Sequence, residues 1–194
     1  MLAHRWDKRP GDQRGISLLE VLITVVILAF GLLALAGLHT KMQLAGFESE
    51  QRGQALLLLS DMTERVNSNR RNAGDYVLVG SSGTGDAQPA SCSTLAVGAP
   101  KDLCEWSNAL KGAAEQSATF RTGAMIGARG CITQVQAANI PACSPGIYRV
   151  TVAWQGMHQT AAPSLACGTG LYGDNDGFRR AISSEIVIGL PACL

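Results

Sequence analysis

A carboxylate interrupts an apolar stretch near the start of the chain. Residues 16–38 contain only three polar side chains, those of Ser17, Glu20 and Thr24. A charge at the centre of a spanning helix costs roughly 2.5 to 3.5 kcal/mol on insertion scales and less near the helix end, so such a residue usually has a partner. Ser17 and Glu20 also have the spacing of a capping box, in which each side chain bonds a free amide at a helix start. Both interpretations of Glu20 are open from the residues alone.

An amine four residues before Glu20 would provide a charged partner. Cleavage between Gly15 and Ile16 would remove the basic leader, keep the apolar segment and leave a free amine on Ile16. At low dielectric the amine and the carboxylate attract strongly. An axial register of packed helices that leaves the two charges buried but unpaired is strongly unfavourable, because both have lost their hydration. The pair could form within one helix or between two packed helices. We predict that Gly15 and Ile16 are processing residues and that Glu20 sets the axial register of assembled subunits.

Six cysteines form the second group of reactive side chains. All lie in the last 103 residues, and they are Cys92, Cys104, Cys131, Cys143, Cys167 and Cys193. None belongs to a Cys-x-x-Cys pair or has a nearby histidine, which disfavours zinc. An even number downstream of a membrane-targeting segment predicts disulfides formed in an oxidising compartment, with free buried thiols as the alternative. The short separation of 12 residues within each pair favours Cys92 with Cys104 and Cys131 with Cys143, which leaves Cys167 with Cys193.

The other residues that could do chemistry do not indicate an enzyme. After loss of the leader the histidines are His39, at the membrane end of the predicted helix, and His158, in a predicted turn. The chain has no Gly-x-Ser-x-Gly elbow and no phosphate loop. Asp174 and Asp176 precede a glycine as in a calcium-binding loop. If they occupied positions 3 and 5 of such a loop, the position of the bidentate glutamate would fall on Ser183, which cannot replace it. We therefore predict a turn rather than a calcium site, and no catalytic residue, metal or cofactor.

Basic residues are concentrated in the leader, residues 1–15. Four of the sixteen Lys and Arg and two of the fifteen acids lie there, so the remainder carries 12 against 13, a net charge of −1. No basic excess remains to contact a phosphate backbone, and nucleic-acid binding is not predicted. The cationic flank predicts that the leader stays in the cytoplasm and that the rest of the chain is exported.

A long helix must position Glu20. Residues 16–38 would span about 35 Å as a helix, enough to cross the hydrocarbon of a membrane. The helix is predicted to continue as an amphipathic segment over 39–72, ending near the cations and the glycine at 70–74. We predict that its apolar row forms the inner face of the globular part: Leu44, Phe47, Ala55, Leu58, Met62 and Val66.

Residues 73–194, which we call the head, are predicted to form a small antiparallel sheet packed on that row. Three segments show alternation or β-branched enrichment, namely 131–136, 148–154 and 180–188. The polar segment 79–91 is predicted to be a surface loop.

Two further local features are predicted in the head. Asp102 and Glu105 have capping-box spacing and predict the start of a short helix closed by Gly112. The wider loop 74–101 is the first candidate for a specificity-determining region.

The stretch Gly15-Ile16-Ser17-Leu18-Leu19-Glu20-Val21-Leu22-Ile23 resembles the type IV prepilin processing motif. In that family a membrane peptidase cuts after the glycine and methylates the new amine, and the glutamate five residues beyond the cut serves filament assembly. Most members have phenylalanine where this chain has Ile16. The resemblance implies an α+β type IV pilin fold, a long N-terminal helix on a small antiparallel head with disulfide-stapled loops, and prepilin peptidase as the processing partner.

Three further segments resemble the minor pilins called pilus modification proteins, the PilV type. They are Ala55–Arg70, Asp102–Trp106 and Tyr148–Trp154. This resemblance implies a low-abundance structural subunit that joins the major pilin and other minor pilins to prime or cap a type IV pilus, with roles in twitching motility and adhesion. It also implies a Gram-negative inner-membrane protein with a periplasmic head that later becomes part of the extracellular pilus. It does not indicate a surface ligand.

Two other interpretations retain part of this pattern. A secretory signal cut after Ala36, at the small-x-small site Ala34-Leu35-Ala36, would release a soluble disulfide-bonded domain beginning at Gly37. It leaves Glu20 unexplained. A minor pseudopilin of a type II secretion system shares the same N-terminal features, and the six cysteines and the large head favour the pilus subunit over it.

Overall fold

The computed structural model describes residues 17–113, 116–117, 120–121 and 125–190 of the 194-residue chain. Several predicted features lie outside the described residues: the leader 1–15 with Gly15, and the residues Ile16 and Cys193. The chain divides after Ala45 into two compact units.

The first unit contains the N-terminal part of helix α1, which runs from Leu18 to Ser68. Ser17 precedes the helix, and its hydroxyl accepts a hydrogen bond from the Leu19 N–H at 3.3 Å. Every residue from Ser17 to Ala45 is exposed. By length and composition, α1 is able to cross a membrane.

In the second unit one face of α1 is buried. Its buried residues recur at steps of four, three and four, the period of a helix that packs along one side: Ala55, Leu59, Met62 and Val66. The predicted apolar row is wrong at its start, because Leu44 and Phe47 are 43% and 55% exposed. In the middle of the row Leu58 is half-buried and packs against the core as predicted, and the neighbouring Leu59, which the prediction left out, is buried.

The helix ends earlier than predicted. α1 stops at Ser68, and a 3₁₀ helix follows over Arg70–Tyr76. Asn69 between them leaves helical geometry, with φ −118° and ψ 45°. The tighter turn buries Ala73 and Tyr76, which accounts for the change of helix type.

The described residues include six strands: β1 (Ser82–Gly83), β2 (Gln116–Ser117), β3 (Phe120–Arg121), β4 (Arg129–Gln136), β5 (Gly146–Gln155) and β6 (Arg179–Ile188). Four of them form an antiparallel sheet in the order β1-β4-β5-β6, and β2 pairs with β3. The three predicted strands are confirmed as β4, β5 and β6. A twelve-residue helix, α2 (Ala99–Leu110), precedes β2.

The core of the second unit joins α1, α2 and one face of the sheet. Its buried sheet residues are Ile132, Tyr148, Val150, Val152, Trp154 and Ile186. Trp106 of α2 is fully buried, and its indole N–H donates to the Leu58 carbonyl of α1 at 2.9 Å. A Cβ at Gly130 of β4 would lie only 2.1 Å from this indole, so β4 needs a glycine where the tryptophan crosses it.

Two disulfides close the periphery of the head. Cys92 is joined to Cys104, the predicted pair. Cys131 is joined to Cys167, with Cα atoms 5.7 Å apart, so the predicted pairs Cys131–Cys143 and Cys167–Cys193 are wrong. β4 and the turn after it separate Cys131 from Cys143, whereas the loop after β5 returns Cys167 to the sheet face that carries Cys131. Cys143 is disulfide-bonded as well.

The polar segment 79–91 is mostly an exposed loop, as predicted, but part of it is buried. It contributes β1, and Ser82 and Gly83 are buried. The carboxylate of Asp86 accepts hydrogen bonds from the Gly83 N–H at 2.7 Å and the Ser107 hydroxyl at 2.7 Å, and it pairs with Lys111. Burial alone would raise the pKa of Asp86, but the bonds from Lys111, Ser107 and backbone amides outweigh it and lower the pKa to about 2.

Candidate functional site: the N-terminal helix and its carboxylate

Glu20 lies in the first turn of α1. Its N–H donates to the Ser17 carbonyl at 2.9 Å, and a carboxylate at this end complements the helix dipole. The capping contribution of Ser17 is present, but the reciprocal bond from the Glu20 side chain is absent among the described residues. Within that part of the chain the Glu20 carboxylate has neither a hydrogen-bond nor an ion-pair partner, and it is exposed.

The next charged residue after Glu20 is Lys41. The twenty residues 21–40 between them correspond to about 30 Å of helix, which matches the hydrocarbon thickness of a bilayer. Their large apolar side chains are exposed over the whole segment, for example those of Phe30 and Leu33. The segment therefore has the length and the apolar surface of a helix that lies in a membrane or in a bundle with helices of other chains.

The other polar side chains of this segment are satisfied by the helix itself. The Thr24 hydroxyl donates to the Val21 carbonyl at 2.8 Å, and the Thr40 hydroxyl donates to the Ala36 carbonyl at 3.1 Å. The His39 imidazole lies 2.9 Å from the Gln43 amide. Internal bonding of this kind removes most of the cost of placing hydroxyls in an apolar environment. Glu20 differs from these residues because none of the described residues bonds its carboxylate.

A long N-terminal helix with a small antiparallel four-stranded sheet is the α+β type IV pilin fold, as predicted. The family model described as the prokaryotic N-terminal methylation motif matches residues 11–36. No curated protein and no solved structure matches the chain. The fold and the motif together support a type IV pilin-like or pseudopilin-like protein, for which the motif implies processing by prepilin peptidase and assembly with other pilins. The apolar helix fits membrane anchoring.

The predicted processing residues lie within the matched segment but outside the described residues. Gly15 and Ile16 therefore have no described geometry, and the distance from the Ile16 amine to Glu20 is not defined. Of the predicted assembly elements, the structure describes Glu20 alone.

A charged cluster in the second unit was missed by sequence reasoning. Arg65 of α1 contacts Asp61 at 3.0 Å, Asp102 at 3.0 Å and Glu105 at 2.7 Å. Burial alone would lower the pKa of Arg65, but these carboxylates outweigh it and raise the pKa. The cluster joins α1 to α2, so it has a structural role.

The predicted capping box at Asp102 and Glu105 is wrong. α2 begins at Ala99 with Gly98 as its N-cap, at a φ of 108° that favours glycine. Both acids instead face Arg65, and Asp102 also accepts a hydrogen bond from the Tyr76 hydroxyl. Burial and this bond raise the pKa of Tyr76 to about 12.

The predicted specificity loop 74–101 contributes to an open cleft beside this cluster. Val97 and Gly98 form one side, and Glu64, Asn69 and Asn72 are among the residues opposite. The cleft has a volume of about 480 Å³.

The acidic turn before the last strand is confirmed as a turn. Asp174–Asp176 forms a 3₁₀ turn, and the buried Asp176 carboxylate accepts the Gly170 N–H at 2.8 and 2.9 Å. The Arg179 guanidinium lies 3.3 Å from Asp176 and donates to the Cys167 carbonyl at 3.1 Å. Arg179 thus places a positive charge beside the buried carboxylate of Asp176, which lies three residues before it in the sequence.

His158 binds a carboxylate from the helix. Its Nδ1 lies 2.9 Å from Glu48 of α1, whose Oε1 also accepts a hydrogen bond from the Met157 N–H at 3.2 Å. Arg180 of β6 reaches the same oxygen at 3.3 Å. His158 itself is exposed, as a turn residue is expected to be, and the three contacts attach the turn after β5 to α1.

Proposed function

We propose that this chain is a minor pilin of a type IV pilus, of the PilV type, and that it takes part in pilus assembly and priming. The observation that carries the proposal is the Glu20 carboxylate, which has no partner among the described residues and precedes twenty uncharged residues of α1 inside a matched N-terminal methylation motif. A structural subunit, rather than an enzyme, accounts for this combination.

In this proposal prepilin peptidase cuts after Gly15 on the cytoplasmic side and methylates the Ile16 amine. The apolar segment 16–38 then holds the subunit in the inner membrane, and the head 73–194 lies in the periplasm. On assembly the positive amine and Glu20 pair within the apolar bundle of helices. Burial of the amine and of the carboxylate in the bundle is favourable only when the two groups are paired. This requirement restricts neighbouring helices to one axial register.

Replacing Glu20 with alanine tests the assembly role. The variant leaves the amine unpaired in the bundle, which costs about 3 to 5 kcal/mol, so its amount in sheared filaments should fall about a hundredfold or more. Glu50→Ala is the matched control, because Glu50 is an exposed glutamate of the same helix beyond the apolar segment. Immunoblots of membranes and of sheared filaments measure both variants. Normal incorporation of Glu20→Ala would refute the role.

Mass spectrometry of the mature N-terminus tests the processing step. The proposal expects a chain that begins at Ile16 and carries an N-methyl group. A chain that begins at Gly37 would instead support the secretory interpretation, and a retained leader would contradict both.

A type II secretion pseudopilin remains the second candidate, because the matched motif is compatible with both filament types. Deletion of the gene separates them. Loss of twitching motility with normal enzyme secretion supports the pilus subunit, and the reverse result supports the pseudopilin.

A further inference from the structure

The two edges of the four-stranded sheet are built differently. At one edge, β4 is partly covered, because β1 pairs with its first residues and the Leu78 N–H donates to the Ile132 carbonyl at 3.0 Å. The rest of β4 contains a register shift between Gln134 and Gln136. A covering segment and a bulge are two of the devices by which proteins prevent a sheet edge from pairing with another chain.

The opposite edge, β6, has neither device. β6 pairs with β5 through ten successive residues without a register shift, from Arg179 opposite Gln155 to Ile188 opposite Gly146. On its other side, none of the described residues forms a backbone hydrogen bond with it. Its sequence contains neither proline nor lysine. In an antiparallel strand alternate residues direct both N–H and C=O away from the partner, so β6 presents a row of donors and acceptors that the backbone of the described residues leaves unpaired.

In the second half of β6, Ile186 is buried in the core and Glu185 pairs with Arg149, but several polar groups have no partner among the described residues. The hydroxyls of Ser183 and Ser184 have no hydrogen-bond partner within the described part of the chain. Glu185 uses only Oε1, which accepts from Arg149 at 2.7 and 3.1 Å, and its Oε2 has no partner among these residues. Val187, on the same face as Ser183 and Glu185, is 56% exposed.

We propose that β6 binds an extended segment from the head of a different pilin-like subunit, which adds a fifth strand to the sheet. The segment would place a basic residue opposite the free oxygen of Glu185 and an apolar residue beside Val187. Main-chain hydrogen bonds give such an interface its affinity, and alternate side chains give it specificity. The inference rests on the proposed function, because assembly brings the heads of neighbouring subunits together.

A second copy of this chain fits the edge less well. Antiparallel pairing of two identical β6 strands requires a two-fold axis normal to the sheet, which reverses every direction in the plane of the sheet. Because α1 packs on one face of the sheet, the α1 helices of the two copies would run in opposite directions. Two subunits inserted in one membrane with the same orientation cannot adopt that arrangement, whereas a different chain is not bound by the symmetry.

Photo-cross-linking of the full chain in its own cells tests the inference. A benzophenone amino acid is placed at Val187 of β6 or, as the matched control, at Val135 of β4, since both are exposed valines. Sheared filaments are first blotted for each variant, and the adducts are then identified by mass spectrometry. We expect Val187 to give an adduct with another chain that carries the N-terminal methylation motif, and Val135 to give none.

Three results would overturn the inference: equal adducts from both positions, an adduct with a second copy of this chain, or no Val187 adduct in filaments that contain the variant. In each of these the wild-type chain is still present in filaments, so the proposed function stands. Absence of the wild-type chain from filaments would instead refute the proposed function. If the probe at Val187 keeps the variant out of filaments, the same experiment is performed at Ser183.

A backbone test separates strand pairing from mere proximity. Ser183→Pro and Ser184→Pro are made separately, because adjacent residues point their N–H groups to opposite sides of the strand. The proline that removes an N–H facing β5 breaks a hydrogen bond of the sheet, and that variant should melt at a lower temperature. The proline that removes an N–H on the open side of β6 breaks no bond to β5, and that variant should keep the wild-type melting temperature. We expect the thermally unchanged variant to lose the Val187 adduct. Its retention would show that β6 does not pair through its backbone.

Discussion

The N-terminal part of α1 and the head use charge in opposite ways. In the first unit Glu20 has no partner among the described residues, and twenty uncharged residues follow it. In the second unit Asp86, Arg65 and Arg179 each contact several groups of the same chain. The charges of the second unit therefore stabilise contacts within the fold, whereas the proposed function assigns the charge of the first unit to a contact made on assembly.

The largest effect on stability is expected at Arg179. Arg179→Met leaves Asp176 as an unpaired charge, in a pair whose side chains are only 4% and 8% exposed. Removal of one member of a buried ion pair costs about 3 to 5 kcal/mol, so the free energy of unfolding should fall by that amount. Denaturant unfolding of the detergent-solubilised chain, followed by tryptophan fluorescence, measures it.

Two variants serve as controls for Arg179→Met. Arg149→Met breaks the exposed pair with Glu185 and should cost less than about 1 kcal/mol. Glu20→Ala should change the free energy of unfolding by less than about 0.5 kcal/mol, because Glu20 is exposed and its carboxylate has no partner among the described residues. A large effect of Glu20→Ala on unfolding would break the comparison between the two regions.

The next largest effect is expected where Trp106 crosses β4. Gly130→Ala places a methyl group against the indole, and overpacking of this kind should lower the free energy of unfolding by about 3 kcal/mol. Gly53→Ala is the matched control, since it adds the same methyl group to an exposed helical position with no atom within 4 Å. It should raise stability by up to about 1 kcal/mol. Equal effects from both variants would contradict the packing of Trp106 against β4.

The smallest effect concerns the pH dependence of Asp86. Its pKa is about 2 in the folded chain and 3.8 in the reference state, so the carboxylate stabilises the fold above about pH 4. This contribution, about 2 kcal/mol, should disappear as the pH falls from about 4 to 2. Urea unfolding at a series of pH values measures it. Asp86→Asn should remove this part of the pH dependence, and an unchanged profile would show that other carboxylates are responsible.

The elements of the fold were predictable because their signals are local. Strand alternation located β4, β5 and β6, and the long apolar helix was evident from composition and periodicity. The site was predictable for a similar reason, since Glu20 is conspicuous in its own sequence neighbourhood. Its role remains a prediction, because the groups expected to pair with it include the Ile16 amine, which lies outside the described residues.

The charged clusters of the head were not predictable, because their members are distant in sequence. Arg65 and Asp102 are 37 residues apart, and only the packing of α2 against α1 brings them together. Capping-box spacing therefore suggested the wrong partner for Asp102. The disulfides show the same effect. Short sequence separation suggested Cys143 as the partner of Cys131, but the fold brings Cys131 to Cys167, which is 36 residues away.

The positions of the described disulfides have a mechanical consequence. Both lie after α1, so neither crosses from the helix to the head. A pulling force along α1 is therefore opposed by the packing of Ala55, Leu59, Met62 and Val66 and by the Trp106 bond to Leu58. The helix would detach under tension while these two disulfides stay intact within the head, and the packing could re-form once the load is released.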